Sequence, residues 1–293
     1  MPDVLHTPVM LQEVLETFSP VQSQGAILDA TFGAGGHSRA LLEAGAQVVA
    51  IDQDPLAQTL SQQLQHSHFR FIQGNFRAMD SLLPQAGIDS LAGVLMDLGL
   101  SSMQIDEAER GFAFRQDGPL DMRMHPDGQS AADVVNTLET EKLAAILYKY
   151  GEERHSRRIA RGIVQARETQ AITRTDTLVD IIRRAYPPGK RHDHPARRSF
   201  QALRIYVNDE LGALEQGLEA ASRLLIPGGV IVVISYHSLE DRIVKHYFRQ
   251  HYAFKPQQKR PRNASEIEIQ ANPRARSAKF RSAWKLGASE DTP

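Results

Sequence analysis

Apolar residues along the 293-residue chain fall into two kinds of pattern. Short unbroken runs occur at Ala26–Leu28, Val48–Ile51, Phe69–Gln73, Leu91–Met96 and Val230–Ile234. Between them lie stretches in which apolar residues recur at three- and four-residue steps. Short continuous runs bounded by turn residues read as buried strands, and the stepped stretches as helices. Strands alternating with helices predict an α/β fold with a mostly parallel, doubly wound sheet. Helices are expected at Leu11–Phe18, after Ser38 as its cap, from Asp54 to about Leu64, and at Leu239–Gln250. Ser238 is expected to cap the last of these, with Asp241 three residues on.

Between the fourth and fifth strands the pattern changes. Residues 106–124 (DEAERGFAFRQDGPLDMRM) have no sustained period, and such a long irregular segment within a compact domain is usually functional. We read it as a loop that walls the active site. From about Ser130 to Tyr186 the period is helical, and one long helix is expected from Ser199 to Leu225. The predicted organisation is a discontinuous catalytic domain, 1–109 with 203–293, and an inserted helical domain, 110–202. The tail, 255–285, is expected to supply the last strands of the sheet.

Three strand ends carry an acid: Asp29, Asp52 and Asp97. Asp29 leads into Thr31-Phe32-Gly33-Ala34-Gly35-Gly36-His37-Ser38. Such a glycine turn lets a ligand approach the main chain closely. Asp52 follows about 20 residues later, the spacing at which a carboxylate meets the ribose hydroxyls of an adenosine ligand. The G-x-G-x-x-G dinucleotide pattern fails, because its third glycine falls on Ser38. A pyrophosphate would also be repelled by Asp29, whereas the ammonium and sulfonium of S-adenosylmethionine (SAM) would be attracted. SAM is thus preferred over a dinucleotide. Gly74-Asn75-Phe76 follows the third strand, where Phe76 is either a stacking partner for adenine or a core residue. Asp97-Leu98-Gly99-Leu100-Ser101-Ser102 and Tyr236-His237-Ser238 end the two central strands and are the candidate chemical groups.

Composition adds two constraints. The chain has no cysteine, which excludes disulfides, a thiol nucleophile and thiolate metal sites. It has no apolar run near the ~20 residues of a membrane span and no signal-peptide pattern at its start, so a cytoplasmic enzyme is expected. No metal is expected; His192-Asp193-His194 is a poor match for a helix-borne site. His6 is either structural or a lining residue of the cofactor site.

The formal net charge of −1 conceals a strong asymmetry. Residues 1–141 hold 19 acids against 6 bases, residues 142–204 hold 15 bases against 6 acids, and residues 242–293 hold 12 bases against 4 acids. Two basic segments on an acidic body point to a polyanionic partner. Arg154, Arg157, Arg158 and Arg161 recur at helical steps, and Lys190, Arg191, Arg197 and Arg198 form a basic loop.

Several motifs together resemble the bacterial RsmH (MraW) family, SAM-dependent methyltransferases of small-subunit ribosomal RNA. They include His6-Thr7-Pro8-Val9, Asp29 to Ser38, Ala50-Ile51-Asp52 and Met96 to Ser102. Later in the chain come Asp117 to Met124, Tyr150-Gly151-Glu152-Glu153-Arg154, Phe200 to Ile205, Tyr236 to Arg242 and Asn272 to Ser277. The resemblance spans nearly the whole chain. It implies a Rossmann-like seven-stranded methyltransferase fold and methylation of the exocyclic N4 of one cytidine of 16S rRNA, at the decoding centre of the small ribosomal subunit. It also implies cofactor contacts from Gly35, Gly36, His37, Asp52, Phe76, Asp97 and Gln104, to which the residues themselves add Asp29 and Gly33. For chemistry, Asp97, Ser101, Ser102 and His237 are the candidates. RNA contacts are expected from the two arginine groups and from Arg274 and Arg276. DNA as substrate, an assembly factor without turnover, and a monomer or a homodimer all stay open at this point.

Overall fold

A computed structural model describes residues 8–187 and 194–287, except for the side chain of Ser102. His6, Lys190, Arg191 and the His192-Asp193 pair therefore lie outside the described residues. The strands are β1 (Ile27–Asp29), β2 (Val48–Asp52), β3 (Phe69–Gln73), β4 (Leu91–Asp97), β5 (Leu225–Ser235), β6 (Phe254–Pro256), β7 (Arg262–Asn263) and β8 (Lys279–Lys285). They form one sheet in the order β3-β2-β1-β4-β5-β8-β6, with β7 also paired to β8. The first five are mutually parallel; β8 runs antiparallel to β5, β6 and β7. The sheet is therefore mostly parallel, as expected, with eight strands rather than seven because the tail adds the two-residue β7.

The helices are α1 (Leu11–Phe18), α2 (Gly36–Glu43), α3 (Pro55–Ser61), α4 (Met79–Gln85), α5 (Ser102–Asp106), α6 (Ala131–Thr137), α7 (Thr140–Gly151), α8 (Ser156–Arg167), α9 (Thr175–Ala185), α10 (Arg197–Asn208), α11 (Glu210–Leu224), α12 (Ser238–Gln250) and α13 (Glu266–Ala271). The chain divides into two compact units, 1–99 with 211–293, and 100–210. The boundaries expected at 109/110 and 202/203 fall inside the second unit. The reason is packing: Leu100 before the expected insert, and Leu203, Tyr206 and Val207 after it, pack into the same core as α6 to α9.

In the first unit, β4 is buried along its apolar length and Ile27 and Leu28 of β1 are fully buried, as parallel strands covered on both faces must be. Two apolar clusters cover the two faces. Leu214, Leu218 and Ala221 of α11 and Val244 and Phe248 of α12 lie on one; Val14 and Phe18 of α1 and Leu41 and Leu42 of α2 lie on the other. Gly93 makes room for Phe18: a Cβ there would stand 2.6 Å from that ring.

The second unit is helical. Its irregular segment contributes to that unit's core, with Leu120 and Met122 essentially buried. Gly118 and Gly111 pack so closely that a Cβ would meet the Ala108 and Pro119 carbonyls. The Asp117 carboxylate binds the Arg174 guanidinium, and Leu120 N–H donates to the Thr173 carbonyl at 2.8 Å.

The helix expected from Ser199 to Leu225 is two helices. Asp209 takes a left-handed conformation (φ 47°) between α10 and α11. Asn208 turns its amide onto the Met122 carbonyl (2.7 Å) and accepts from Met124 N–H (2.7 Å), and Arg204 forms a two-point ion pair with Glu210 at 2.7 and 2.8 Å. These tertiary bonds make a break that apolar periodicity alone does not signal. Arg197 and Arg198, expected in a loop, open α10.

Candidate methyl-transfer site

Strand order reverses between β1 and β4, so the crevice at their carboxyl ends is where a doubly wound sheet binds its ligand. Asp29, Asp52 and Asp97 stand at the ends of three neighbouring strands, β1, β2 and β4.

Asp29 is 1% exposed and faces inward. Its carboxylate accepts from Ser38 Oγ at 2.7 Å and Thr31 N–H at 3.2 Å. Burial raises its pKa, against the opposing effects of His37 and these hydrogen bonds. Asp29 thus braces the glycine turn from beneath. Ser38, expected as a helix cap, lies inside α2 with its hydroxyl committed to Asp29, and Gly35 takes the cap position. Gly33 and Gly35 have φ of 53° and 78°. A Cβ on Gly35 would lie 2.6 Å from the Phe32 ring, so the turn needs glycine there for both conformation and space.

Asp52 ties the second strand end to the turn. Its carboxylate accepts from Gly33 N–H (2.8 Å) and from Asp54 N–H (2.9 Å). Burial pushes its pKa up to about 6, although both hydrogen bonds pull it down. Phe76 is half-buried and packs against Gly217 of α11, where a Cβ would stand 2.6 Å from its ring. Its ring is therefore part of the packing over that face of the sheet.

Asp97 is the hub. Its N–H donates to Thr31 Oγ at 2.7 Å, which couples β4 to the glycine turn. One carboxylate oxygen accepts from the Tyr236 hydroxyl at 2.7 Å; the other lies 3.4 Å from His37 Nε2. Burial, with Asp97 beside it, pushes the Tyr236 phenol well above its usual pKa, so the phenol is a donor at any working pH. His37 is 5% exposed, and both its ring nitrogens are buried without a hydrogen-bond partner among the described residues.

After β5, His237 caps α12. Its Nδ1 accepts from Glu240 N–H at 3.4 Å, and the Glu240 carboxylate returns to Tyr236 N–H (2.8 Å) and His237 N–H (3.2 Å). The capping box thus sits one residue earlier than expected, because the acid three residues on is Glu240 rather than Asp241. Asp241 instead pairs with Arg281 of β8 at 2.7 Å. His237 Nδ1 is thus committed to the cap, while Nε2 is buried 3.1 Å from the Glu240 carboxylate without a hydrogen bond to it.

Ser101 and Gln104 belong to the second unit. Ser101 Oγ accepts from Gln104 N–H (3.3 Å), and the Gln104 side chain accepts from Ser101 N–H (3.2 Å), a capping box on α5. Ser102 is the first residue of that helix.

Of the cationic candidates, Arg157, Arg158 and Arg161 are exposed on α8; Arg154 is exposed in the turn before it rather than on the helix. Arg197 and Arg198 are exposed at the start of α10, with Arg198 donating to the Glu152 carbonyl at 3.0 Å. Arg274 and Arg276 lie in a short 3-10 turn of the first unit.

A turn braced by a buried acid, a second strand-end acid and a third held by the Tyr236 hydroxyl compose a small-molecule site joined to a reactive end. The family model for the MraW methylase family matches residues 3–286. The chain belongs to the MraW methylase family. Among its relatives, the ribosomal RNA small subunit methyltransferase H of Deinococcus deserti is 53% identical over 287 residues, covering 98% of this chain and 95% of that one. The corresponding protein of Deinococcus radiodurans is 53% identical over 289 residues (99% and 92%), and that of Paramagnetospirillum magneticum 48% over 307 (97% and 96%). The chain is accordingly a SAM-dependent methyltransferase.

Its residues fit SAM. The N–H groups of Gly36 and His37 open α2 without intrahelical acceptors, which suits the carboxylate of the methionyl part. Asp52 retains lone pairs for ribose hydroxyls. The orphaned His37 Nδ1 and the partly exposed Asp97 offer polar partners to the remainder.

Thr31 links two strand ends and Tyr236 orients Asp97, and neither role follows from local sequence pattern. The position of Tyr236 immediately after a central strand marks it as a candidate but does not give this bond. For Thr31 there is no such signal, because its bond to Asp97 spans 66 residues.

Proposed function

We propose that the chain methylates the exocyclic N4 of one cytidine of 16S rRNA, at the decoding centre of the small ribosomal subunit, in the cytoplasm. The observation that carries this reading is the full-length similarity to proteins named ribosomal RNA small subunit methyltransferase H. The arrangement at Asp97 supports it.

SAM supplies an electrophilic methyl group on a sulfonium. The protein's part is to hold the nucleophile in line with that methyl, which is where most of the rate comes from. The lone pair of a cytosine N4 is delocalised into the ring, so the site must draw on its N–H groups. A fixed carboxylate does this and stabilises the positive charge that develops on nitrogen. Asp97 is such a group, because the Tyr236 hydroxyl fixes one of its oxygens and His37 Nε2 lies 3.4 Å from the other. N4 becomes acidic as it is alkylated, so no strong base is needed, and the proton leaves through a hydrogen-bonded acceptor. The backbone carbonyls of Leu98 and Gly99, which follow Asp97, are the further acceptors. A base buried in a duplex cannot reach such a crevice, so the cytidine must be unpaired or flipped. In this reading the unit 100–210 is the substrate-recognition domain, and Arg154, Arg157, Arg158, Arg161, Arg197 and Arg198 bind phosphates.

The test offers methyl-labelled SAM with naked 16S rRNA, assembled small subunits and duplex DNA, and maps the label by mass spectrometry. Label on cytosine N4 of the RNA or the subunit supports the reading. Label only on DNA, or on another atom, overturns it.

A further inference from the structure

The first unit has a cavity of about 870 Å³ away from the strand ends that carry the acids. The end of α1 (Glu16, Thr17), the start of β5 (Pro227, Gly228), and β6 and β8 line it. Trp284, which lines it, pairs with Val230 of β5, and Asp97 pairs with Ile234 four residues further on, so at 3.3 Å per residue the two lie roughly 13 Å apart along the strands. It does not belong to the methyl-transfer site.

Its chemistry is specific. Trp284 is half-buried in β8 and lines the cavity together with Pro20, Pro227 and Pro256. Lys255 of β6 is the cross-strand partner of Trp284 in the sheet register. A cross-strand pair projects from the same face, so the lysine stands beside the indole. Lys255 is exposed, and no carboxylate pairs with it among the described residues. Arg262 lines the cavity too, 3.7 Å from both Glu13 and Glu16. Lys259 and Arg260, in the loop between β6 and β7, are exposed. A planar aromatic platform between rigid rings, with cations at its side, is how proteins hold single-stranded nucleic acid without reading its sequence.

We propose that this cavity is a second RNA site, which stacks one base of a single-stranded segment on Trp284 and holds its phosphates with Lys255 and Arg262. The inference rests on the reading of RNA as substrate. An acidic peptide shares the charge but lacks a flat π face for the indole, so the observations favour RNA. Such a site would anchor a strand outside the crevice that holds the reacting cytidine.

Trp284 is the chain's single tryptophan, so its fluorescence reports this site alone. The test titrates the full chain with an eight-nucleotide oligoadenylate, which has no cytidine to methylate, and in parallel with AMP and a polyglutamate peptide. Saturable quenching by the oligomer, weakened by salt, is expected, with AMP binding at least ~10-fold more weakly because it lacks the neighbouring phosphates. With a dye-labelled oligomer, Lys255→Ala should lower affinity and reduce the log–log salt slope by about 0.7. Trp284→Ala should cost ~10-fold or more, and Trp284→Phe should recover part of it. Quenching by polyglutamate but not by the oligomer, no quenching by any of the three, or a salt slope unchanged in Lys255→Ala would overturn the proposal. None of these results bears on whether cytosine N4 in 16S rRNA receives the methyl group, so the two readings fail separately.

Discussion

The Tyr236 hydroxyl donates to Asp97 Oδ1 at 2.7 Å across the ends of the two central strands, β4 and β5. Hydrogen bonds to charged acceptors contribute ~1.5–3 kcal/mol, and this one also sets which way the carboxylate points. Tyr236→Phe removes the donor and keeps the ring. The expected result is a fall of about 10- to 100-fold in kcat/KM, with the larger share in kcat. Single-turnover methyl transfer measured beside SAM affinity checks it; a loss confined to thermal stability would assign Tyr236 a structural role.

Asp97 itself carries more. Asp97→Ala leaves the β4 hydrogen bonds in place, because the link to Thr31 uses its backbone N–H. The variant should stay folded and lose methyl transfer by ~1000-fold or more, since its fixed acceptor is gone. Circular dichroism and a labelled-methyl assay on the same preparation decide the matter, and full activity in the folded variant would remove Asp97 from the mechanism.

Asp52 makes a pH prediction. Its pKa is about 6 in the fold against an ordinary 3.8, raised by burial. The folded state therefore holds this proton more tightly than the unfolded chain does. The resulting stabilisation is complete below pH ~4 and is lost as pH rises through 6. Asp52→Asn removes this dependence, so the stability difference between variant and wild type should shift in favour of the variant between pH 4 and 6. SAM affinity should move the other way, rising towards pH 7 as Asp52 ionises and becomes a stronger acceptor for ribose hydroxyls. Denaturant titrations and calorimetry from pH 4.5 to 7.5 measure the two, and a pH-independent affinity would contradict the ribose contact.

In the proposed reading the exposed cations of α8 bind RNA phosphates. The double change Arg157→Ala, Arg158→Ala should weaken RNA binding, lower the salt slope by about 1.4 for single-stranded contacts and leave SAM affinity untouched. Filter binding at several salt concentrations is sufficient; loss of SAM binding instead would show that these residues support the fold of the cofactor site.

The one-dimensional pattern determined a good deal. Unbroken apolar runs ending on Asp29, Asp52 and Asp97 specified parallel strands, and in such a sheet the carboxyl ends are the ligand side whatever the details. Gly33 and Gly35 marked the turn because their backbone angles are costly for other residues. The arginines of α8 were legible as a charged helix face. These features are local, fixed by sterics and periodicity within a few residues.

What the sequence left open depends on bonds between distant residues. Asp29 looked like a ligand for a cation and proved to be a buried brace for Ser38 and Thr31. His237 also caps α12 through Nδ1, because Glu240 lies three residues on. The break at Asp209 follows from Asn208 reaching back to Met122 and Met124. The restraint of Asp97 joins residues 97 and 236. Each arises when a buried polar group must find a partner and the fold, rather than the local chain, supplies it.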